Sequence, residues 1–132
     1  MPEAERFSHE QLKDFKYDVF LHKDAPKGLI HVSMRVDADP EELHRLILRE
    51  LNFRKRFQVG AYRHVGTESE HAYEVLFKEP VPHEPSQPYP LSRLVLRPAD
   101  SGTEVHVYGP RNAEHHVAYL LRTVARALER SP

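Results

Sequence analysis

The chain has 132 residues, which is a common size for one domain and is enough to bury a core without covalent cross-links. Its formal net charge of −1 lacks the basic excess of a duplex nucleic-acid binder, and its charged fraction of 30% is balanced in sign, unlike that of most disordered chains. It contains no cysteine, which excludes disulfides and thiolate chemistry. No apolar run approaches the roughly 20 residues that span a bilayer, and the polar N-terminus is not a secretory signal. We therefore expect a single cytoplasmic domain over residues 1–132, with residues 1–7 flexible.

The N-terminal quarter of the chain predicts a short helix followed by a β-hairpin. Ser8 and Gln11 have the spacing of a capping box, which predicts a helix over residues 8–14. Apolar and polar side chains alternate in residues 15–22 and again in residues 30–36, the period of half-buried strands. A turn separates these two runs, so we expect them to pair in the antiparallel sense.

The middle of the chain predicts one well-signalled helix and four more strands. Asp39 is a good cap and Pro40 suits the first helical position, so a helix is expected to begin there and to end near Leu51. Alternation of apolar and polar residues predicts strands within residues 57–65, 73–77, 93–97 and 104–108.

Two segments complete the predicted architecture. Five prolines within residues 79–90 predict a loop, because proline cannot donate to a strand ladder. Asn112 is the expected cap of a last helix whose apolar stripe runs through residues 113–128. The pattern predicts an α+β domain in which a curved, mostly antiparallel sheet of about six strands packs against this long C-terminal helix.

Two stretches resemble the START-like superfamily, also called SRPBCC or Bet v 1-like. Residues 30–43 are similar to the opening strand and the Ala-x-Pro-Glu-Glu helix entry of that family, and residues 94–128 are similar to its closing strand, Gly-Thr turn, strand and long helix. The two stretches cover roughly half of the chain. The resemblance implies a helix-grip fold; it implies no catalytic residues, because the family has no universal ones.

A helix-grip fold suggests a binding role for the space between the sheet and the last helix. We expect a non-enzymatic domain that binds an apolar small molecule or a lipid-like group there. The inward-facing residues that would line this space are Val32, Met34, Tyr73, Val75, Phe77, Leu94, Val105, Val107, Val117, Leu121 and Val124. The same residues are equally well explained as plain core.

Two other functions remain open at this point. Phe20, Tyr62, Leu76, Val95 and Tyr108 are apolar or aromatic residues on faces that should be wet, which suggests a protein-interaction module or a homodimer that uses the outer face or an edge of the sheet. The segment Arg54–Arg56 lies between two phenylalanines and could contact nucleic acid, although basic residues also suit a helix C-terminus.

The ten histidines do not predict a metal site. His115 and His116 are adjacent, so they should point in different directions and lack the i, i+4 spacing of a helical metal site. His31, His64 and His106 fall on the polar faces of their strands and would meet only if those strands are neighbours. We expect solvated surface histidines, no metal and no cofactor.

No catalytic constellation is visible in the sequence. Glu41 and Glu42 lie where carboxylates favour a helix N-terminus, which explains them without chemistry. There is no phosphate-binding glycine loop and no nucleophile motif. The sequence therefore predicts no catalytic residues.

Overall fold

The computed structural model of the chain describes residues 5–130. Its strands are β1 (Glu5–Arg6), β2 (Phe20–His22), β3 (Leu29–Val36), β4 (Val59–Thr67), β5 (Glu70–Phe77), β6 (Ser92–Pro98) and β7 (Thr103–Pro110). Its α-helices are α1 (Pro40–Arg54) and α2 (Glu114–Glu129), and short 3-10 helices cover Glu10–Leu12 and Arg111–Ala113.

The strands form one antiparallel sheet in the order β1-β2-β3-β7-β6-β5-β4. The predicted α+β class with a curved antiparallel sheet is confirmed. The sheet has seven strands where six were expected, because Glu5–Arg6 add an edge strand that pairs with β2. Within the segment expected to be flexible, residues 1–7, Glu5–Arg6 form this edge strand, and residues 1–4 lie outside the described part of the chain.

The core lies between the sheet and the two helices. Alternate residues of β3, β5, β6 and β7 join the apolar stripes of α1 and α2 in one buried cluster. Val117, Leu121 and Val124 of α2 are fully buried, so the C-terminal helix packs against the sheet as predicted. We call this helix-covered side the inner face of the sheet and the opposite side the outer face. Within residues 5–130, neither helix is long and apolar enough to cross a membrane.

Helix α1 begins where the sequence predicts. The Asp39 side chain accepts hydrogen bonds from the backbone N–H groups of Glu41 (3.1 Å) and Glu42 (3.4 Å). The helix continues three residues past Leu51, to Arg54. Arg54 bonds the buried carboxylate of Glu50 one turn back, which gives the last turn a charged partner inside the protein.

The N-terminal predictions need correction. The capping-box helix is only the 3-10 helix Glu10–Leu12, and its cap is the His9 ring, which accepts from the backbone N–H of Gln11 at 3.2 Å. The predicted strand over residues 15–22 shrinks to Phe20–His22. Asp14 adopts a left-handed φ of 62°, and Phe15 packs against the core from an irregular segment.

The predicted cap of the last helix is also wrong. Helix α2 begins after Ala113, which provides no side-chain cap. Asn112 instead lies in the preceding 3-10 helix, where its amide donates to the carbonyl oxygen of Pro82 at 3.2 Å. This bond fastens the proline-rich segment of residues 79–90, which is a loop as predicted.

A β-bulge at Gly60 inverts the alternation of β4. Val59 pairs with Phe77 and faces inward, but the register shifts at Gly60 and Tyr62, opposite Val75, faces inward as well. A Cβ atom at Gly60 would lie 3.3 Å from the Leu76 carbonyl oxygen, so the bulge favours glycine here. Every residue of β4 after Gly60 therefore faces the side opposite to the one its sequence pattern predicts.

Candidate metal centres

Eight of the ten histidines gather in three groups, each with potential ligand atoms within 4.8 Å of one another. We call His44, His64 and His71 the inner triad, and His22, His31 and His106 the outer triad. The third group, Glu79 with His115 and His116, is the Glu79 cluster. The expectation of solvated surface histidines is therefore wrong for seven of these eight, which are buried or half-buried, and holds for His64.

The inner triad lies where the start of α1 meets the β4–β5 hairpin. His44 is in the first half of α1, His64 is in β4 and His71 is in β5. His64 pairs directly with Tyr73, and His71 lies two residues before Tyr73 on the same inner face. The Gly60 bulge brings His64 to this face, whereas His31 and His106 lie on the outer face.

Hydrogen bonds fix the orientation of each ring in the inner triad. The Nε2–H of His71 donates to the carboxylate of Glu41, which leaves the His71 Nδ1 lone pair free to accept. That Nδ1 lies 3.0 Å from Nε2 of His64. The third ring, His44, stacks on His71 at 4.0 Å, and its Nδ1 lies 2.5 Å from the hydroxyl of Tyr73.

The inner triad favours neutral imidazoles. Burial lowers the pKa of both His44 and His64, and the nearby charge of His71 lowers these two pKa values further. The hydrogen bond from His71 lowers the pKa of Glu41, so that carboxylate stays ionised. Burial raises the pKa of Tyr73, whose side chain is fully enclosed. His44 and His64 thus present neutral nitrogen donors at neutral pH, with the Glu41 carboxylate nearby.

The outer triad spans three adjacent strands on the opposite face of the sheet. Nε2 of His31 in β3 lies 2.8 Å from Nδ1 of His106 in β7, and the other nitrogen of His106 donates to Glu104 at 3.1 Å. His22 of β2 stacks on His31 at 4.1 Å. Its Nε2 lies 2.7 Å from the hydroxyl of Ser33.

The outer triad also disfavours protonation. Burial, followed by the charges of His22 and His106, lowers the pKa of His31 to about 4. Burial lowers the pKa of His106 as well, although its hydrogen bond to Glu104 opposes that shift. Three rings this close cannot all carry a proton without strong repulsion.

The two triads are built alike. In each, one ring donates to a carboxylate and turns its Nδ1 toward Nε2 of a second ring. In each, a third ring stacks on a member of that pair and bonds a hydroxyl. A carboxylate that orients an imidazole is the common outer partner of histidine ligands to metals.

The Glu79 cluster differs from the triads. His115 and His116 are adjacent in the chain, yet both Nε2 atoms reach the same oxygen of Glu79, which corrects the expectation that they point apart. His116 is buried and stacks on Phe77 at 3.9 Å. The cluster borders a pocket of about 350 Å³, and its carboxylate oxygen is already bonded by both rings.

The eleven residues predicted to line a ligand space all belong to the buried core cluster. They pack the sheet against the helices, and their role toward an apolar ligand stays a prediction.

The residues predicted for an interaction surface differ in exposure, and Tyr62 lies on the other face of the sheet from the remaining four. Phe20 and Leu76 are exposed, but Val95 is 1% exposed. Tyr62 faces inward and packs against the core, and Tyr108 stacks on His31. An interaction surface on the outer face or an edge of the sheet stays a prediction.

The predicted basic patch is partly engaged inside the protein. The Arg54 side chain is 14% exposed and forms an ion pair with Glu50 at 2.9 Å. Its guanidinium also lies over the Phe53 ring. Arg54 is therefore held by internal partners, while Arg56 is exposed.

The chain matches no family model, and no curated protein or solved structure is significantly similar to it. The resemblance to the START-like superfamily therefore stays a prediction.

Proposed function

We propose that this protein binds a divalent transition-metal ion of the zinc class at the inner triad. The observation that carries the proposal is the convergence of His44, His64 and His71 from one helix and two strands. Side chains this far apart in the chain meet only because the fold brings them together. Hydrogen bonds to Glu41 and Tyr73 hold two of the three rings.

The spacing of the inner triad suits coordination. Zinc–nitrogen bonds of about 2.0–2.1 Å in a tetrahedral site place ligand nitrogens about 3.3 Å apart. A shared proton lies between Nδ1 of His71 and Nε2 of His64, which are 3.0 Å apart. These two nitrogens need to separate only slightly for an ion to replace that proton. His44 stacks on His71 and supplies the third nitrogen ligand. A fourth position is then left for water or for the Glu41 carboxylate.

The donor set decides the class of metal. Imidazole nitrogens favour Zn²⁺, Cu²⁺ and Ni²⁺, whereas Mg²⁺ and Ca²⁺ require oxygen ligands. Soft Cu⁺ favours sulfur, and the chain contains no cysteine. Because imidazole must be neutral to coordinate, the lowered pKa values of His44 and His64 support binding at neutral pH.

Titration of the metal-stripped full chain with Zn²⁺ by calorimetry tests the proposal. The double substitution His64→Ala/His71→Ala should remove one equivalent of bound Zn²⁺, and His83→Ala should remove none. His83 is the matched control because it is exposed and lies outside all three groups. Equal stoichiometry and affinity in the double variant and the unchanged protein would refute the inner site, as would the absence of Zn²⁺ binding in the unchanged protein.

A further inference from the structure

We propose that the outer triad is a second, independent transition-metal site, and that its ion fastens the edge strand β2 to the sheet. The triad takes one histidine from each of three consecutive strands in the sheet order, β2, β3 and β7. An ion bound by all three would link two strand pairs at once. This site lies on the opposite face of the sheet from the inner triad and shares no residue with it.

The ligand geometry parallels that of the inner triad. Glu104 orients His106 so that its Nδ1 faces Nε2 of His31 at 2.8 Å. Replacement of the shared proton by a metal ion requires the two nitrogens to separate to about 3.3 Å. His22, stacked on His31, supplies the third imidazole.

Charge near the outer triad is balanced. Glu104 contributes a carboxylate beside His106. The neighbouring Arg97 forms an ion pair with Glu70 at 2.8 Å, so its positive charge is offset before an ion arrives. The hydroxyl of Ser33 remains beside His22 as a polar partner. Three imidazoles with one orienting carboxylate form the nitrogen-rich set that zinc-class ions favour.

The edge that such an ion would fasten is weakly held. Strand β2 has only three residues, and the strand outside it, β1, has two. The ion pair between Lys23 and Glu5 at 2.8 Å is exposed, and exposed pairs contribute little. A short edge strand with so few partners opens locally far more often than the core. An ion that binds only the closed form lowers the equilibrium population of the open form by a factor of 1 + [metal]/Kd.

The test uses the His64→Ala/His71→Ala protein, in which the inner triad is absent. This variant should still bind one equivalent of Zn²⁺, and a further His31→Ala or His22→Ala substitution should abolish that remaining Zn²⁺ binding. The control substitution His83→Ala in the same background should not. At free Zn²⁺ of 100 times Kd, amide exchange in β2 should slow by roughly 100-fold in this variant, and the further His31→Ala substitution should remove that slowing.

Several outcomes would overturn the second site. One is the absence of Zn²⁺ binding in the inner-triad variant. Another is an equivalent of bound Zn²⁺ that the inner-triad variant keeps after His31→Ala but loses after His115→Ala, which would place the ion at the Glu79 cluster. Unchanged exchange in β2 despite binding at the outer triad would refute the fastening of the edge. If His31→Ala removes the only equivalent that the unchanged protein binds, the outer site stands and the inner one fails.

Discussion

Replacement of Tyr73 by phenylalanine removes one hydroxyl from the inner triad and keeps the ring that packs in the core. Tyr73 is fully buried, and its hydroxyl lies 2.5 Å from Nδ1 of His44. When Nε2 of His44 is the metal ligand, Nδ1 carries the proton and the tyrosine oxygen can accept it. The hydroxyl thus holds the ring in the orientation and tautomer that coordination needs.

The magnitude of this effect differs between the two states of the protein. Without metal, loss of one hydrogen bond costs about 1 kcal/mol of unfolding free energy. With metal, loss of a residue that orients a ligand weakens binding by roughly 10–100-fold. The ring of Tyr73 stays in place, so Tyr73→Phe creates no cavity large enough to disturb the fold.

Zn²⁺ competition titrations against a chromophoric chelator, together with urea unfolding in a metal-free buffer, separate the two effects. Tyr62→Phe is the matched control, because Tyr62 faces the same side of the neighbouring strand and its hydroxyl bonds Asn52 at 2.7 Å instead of the triad. We expect the affinity to fall in Tyr73→Phe alone. An unchanged Zn²⁺ affinity in Tyr73→Phe, combined with reduced metal-free stability, would show that the hydroxyl serves the fold and does not position a ligand.

Two further predictions concern stability. Glu50→Ala should cost about 3–5 kcal/mol of unfolding free energy, because it leaves the enclosed Arg54 without its 2.9 Å partner and also removes the contact with Arg130 at 3.5 Å. The midpoint of urea unfolding measures this loss of stability. The control Glu42→Ala, which removes a half-exposed partner of Arg45, should leave the midpoint unchanged. Equal shifts of the midpoint in the two variants would contradict the prediction for Glu50. Acidification should also destabilise the metal-free protein. The pKa of His31 is about 4 when folded and about 6.5 when unfolded, so its contribution is complete above pH 6.5 and is lost as the pH falls toward 4. For this half-exposed ring we expect a loss of about 1 kcal/mol between pH 7 and pH 5 after allowance for solvent screening. Urea midpoints at the two pH values in a chelating buffer measure it, and a pH response that persists in full in His31→Gln would assign the effect to other groups.

The fold was largely predictable because its main signals are local. The alternation in β3, the Asp39 cap of α1 and the apolar stripe of α2 each follow from residues close together in the chain. The N-terminal segment was not predictable in the same way. Phe15 alternates with polar neighbours as a strand residue would, but its packing against the core, after a left-handed Asp14, outweighs that propensity.

The candidate sites depend on contacts that no local pattern encodes. The approach of His31 and His106 follows from the pairing of β3 with β7, which are far apart in the chain. His44 and His71 were not singled out from the sequence at all. One signal was available: His64 and His71 are diagonal neighbours across the β4–β5 hairpin, since His71 pairs with Gly66, two residues after His64.

The Gly60 bulge makes the inner triad depend on strand register as well as on its chemistry. If Gly60 paired regularly with Leu76 and formed no bulge, each later residue of β4 would shift by one position along β5 and His64 would turn to the outer face, with every histidine still present in the sequence. Two chains with the same metal-binding side chains could then differ completely in whether they assemble this site. A search for similar centres in other proteins should therefore compare the pairing register of the hairpin before it compares residue identities.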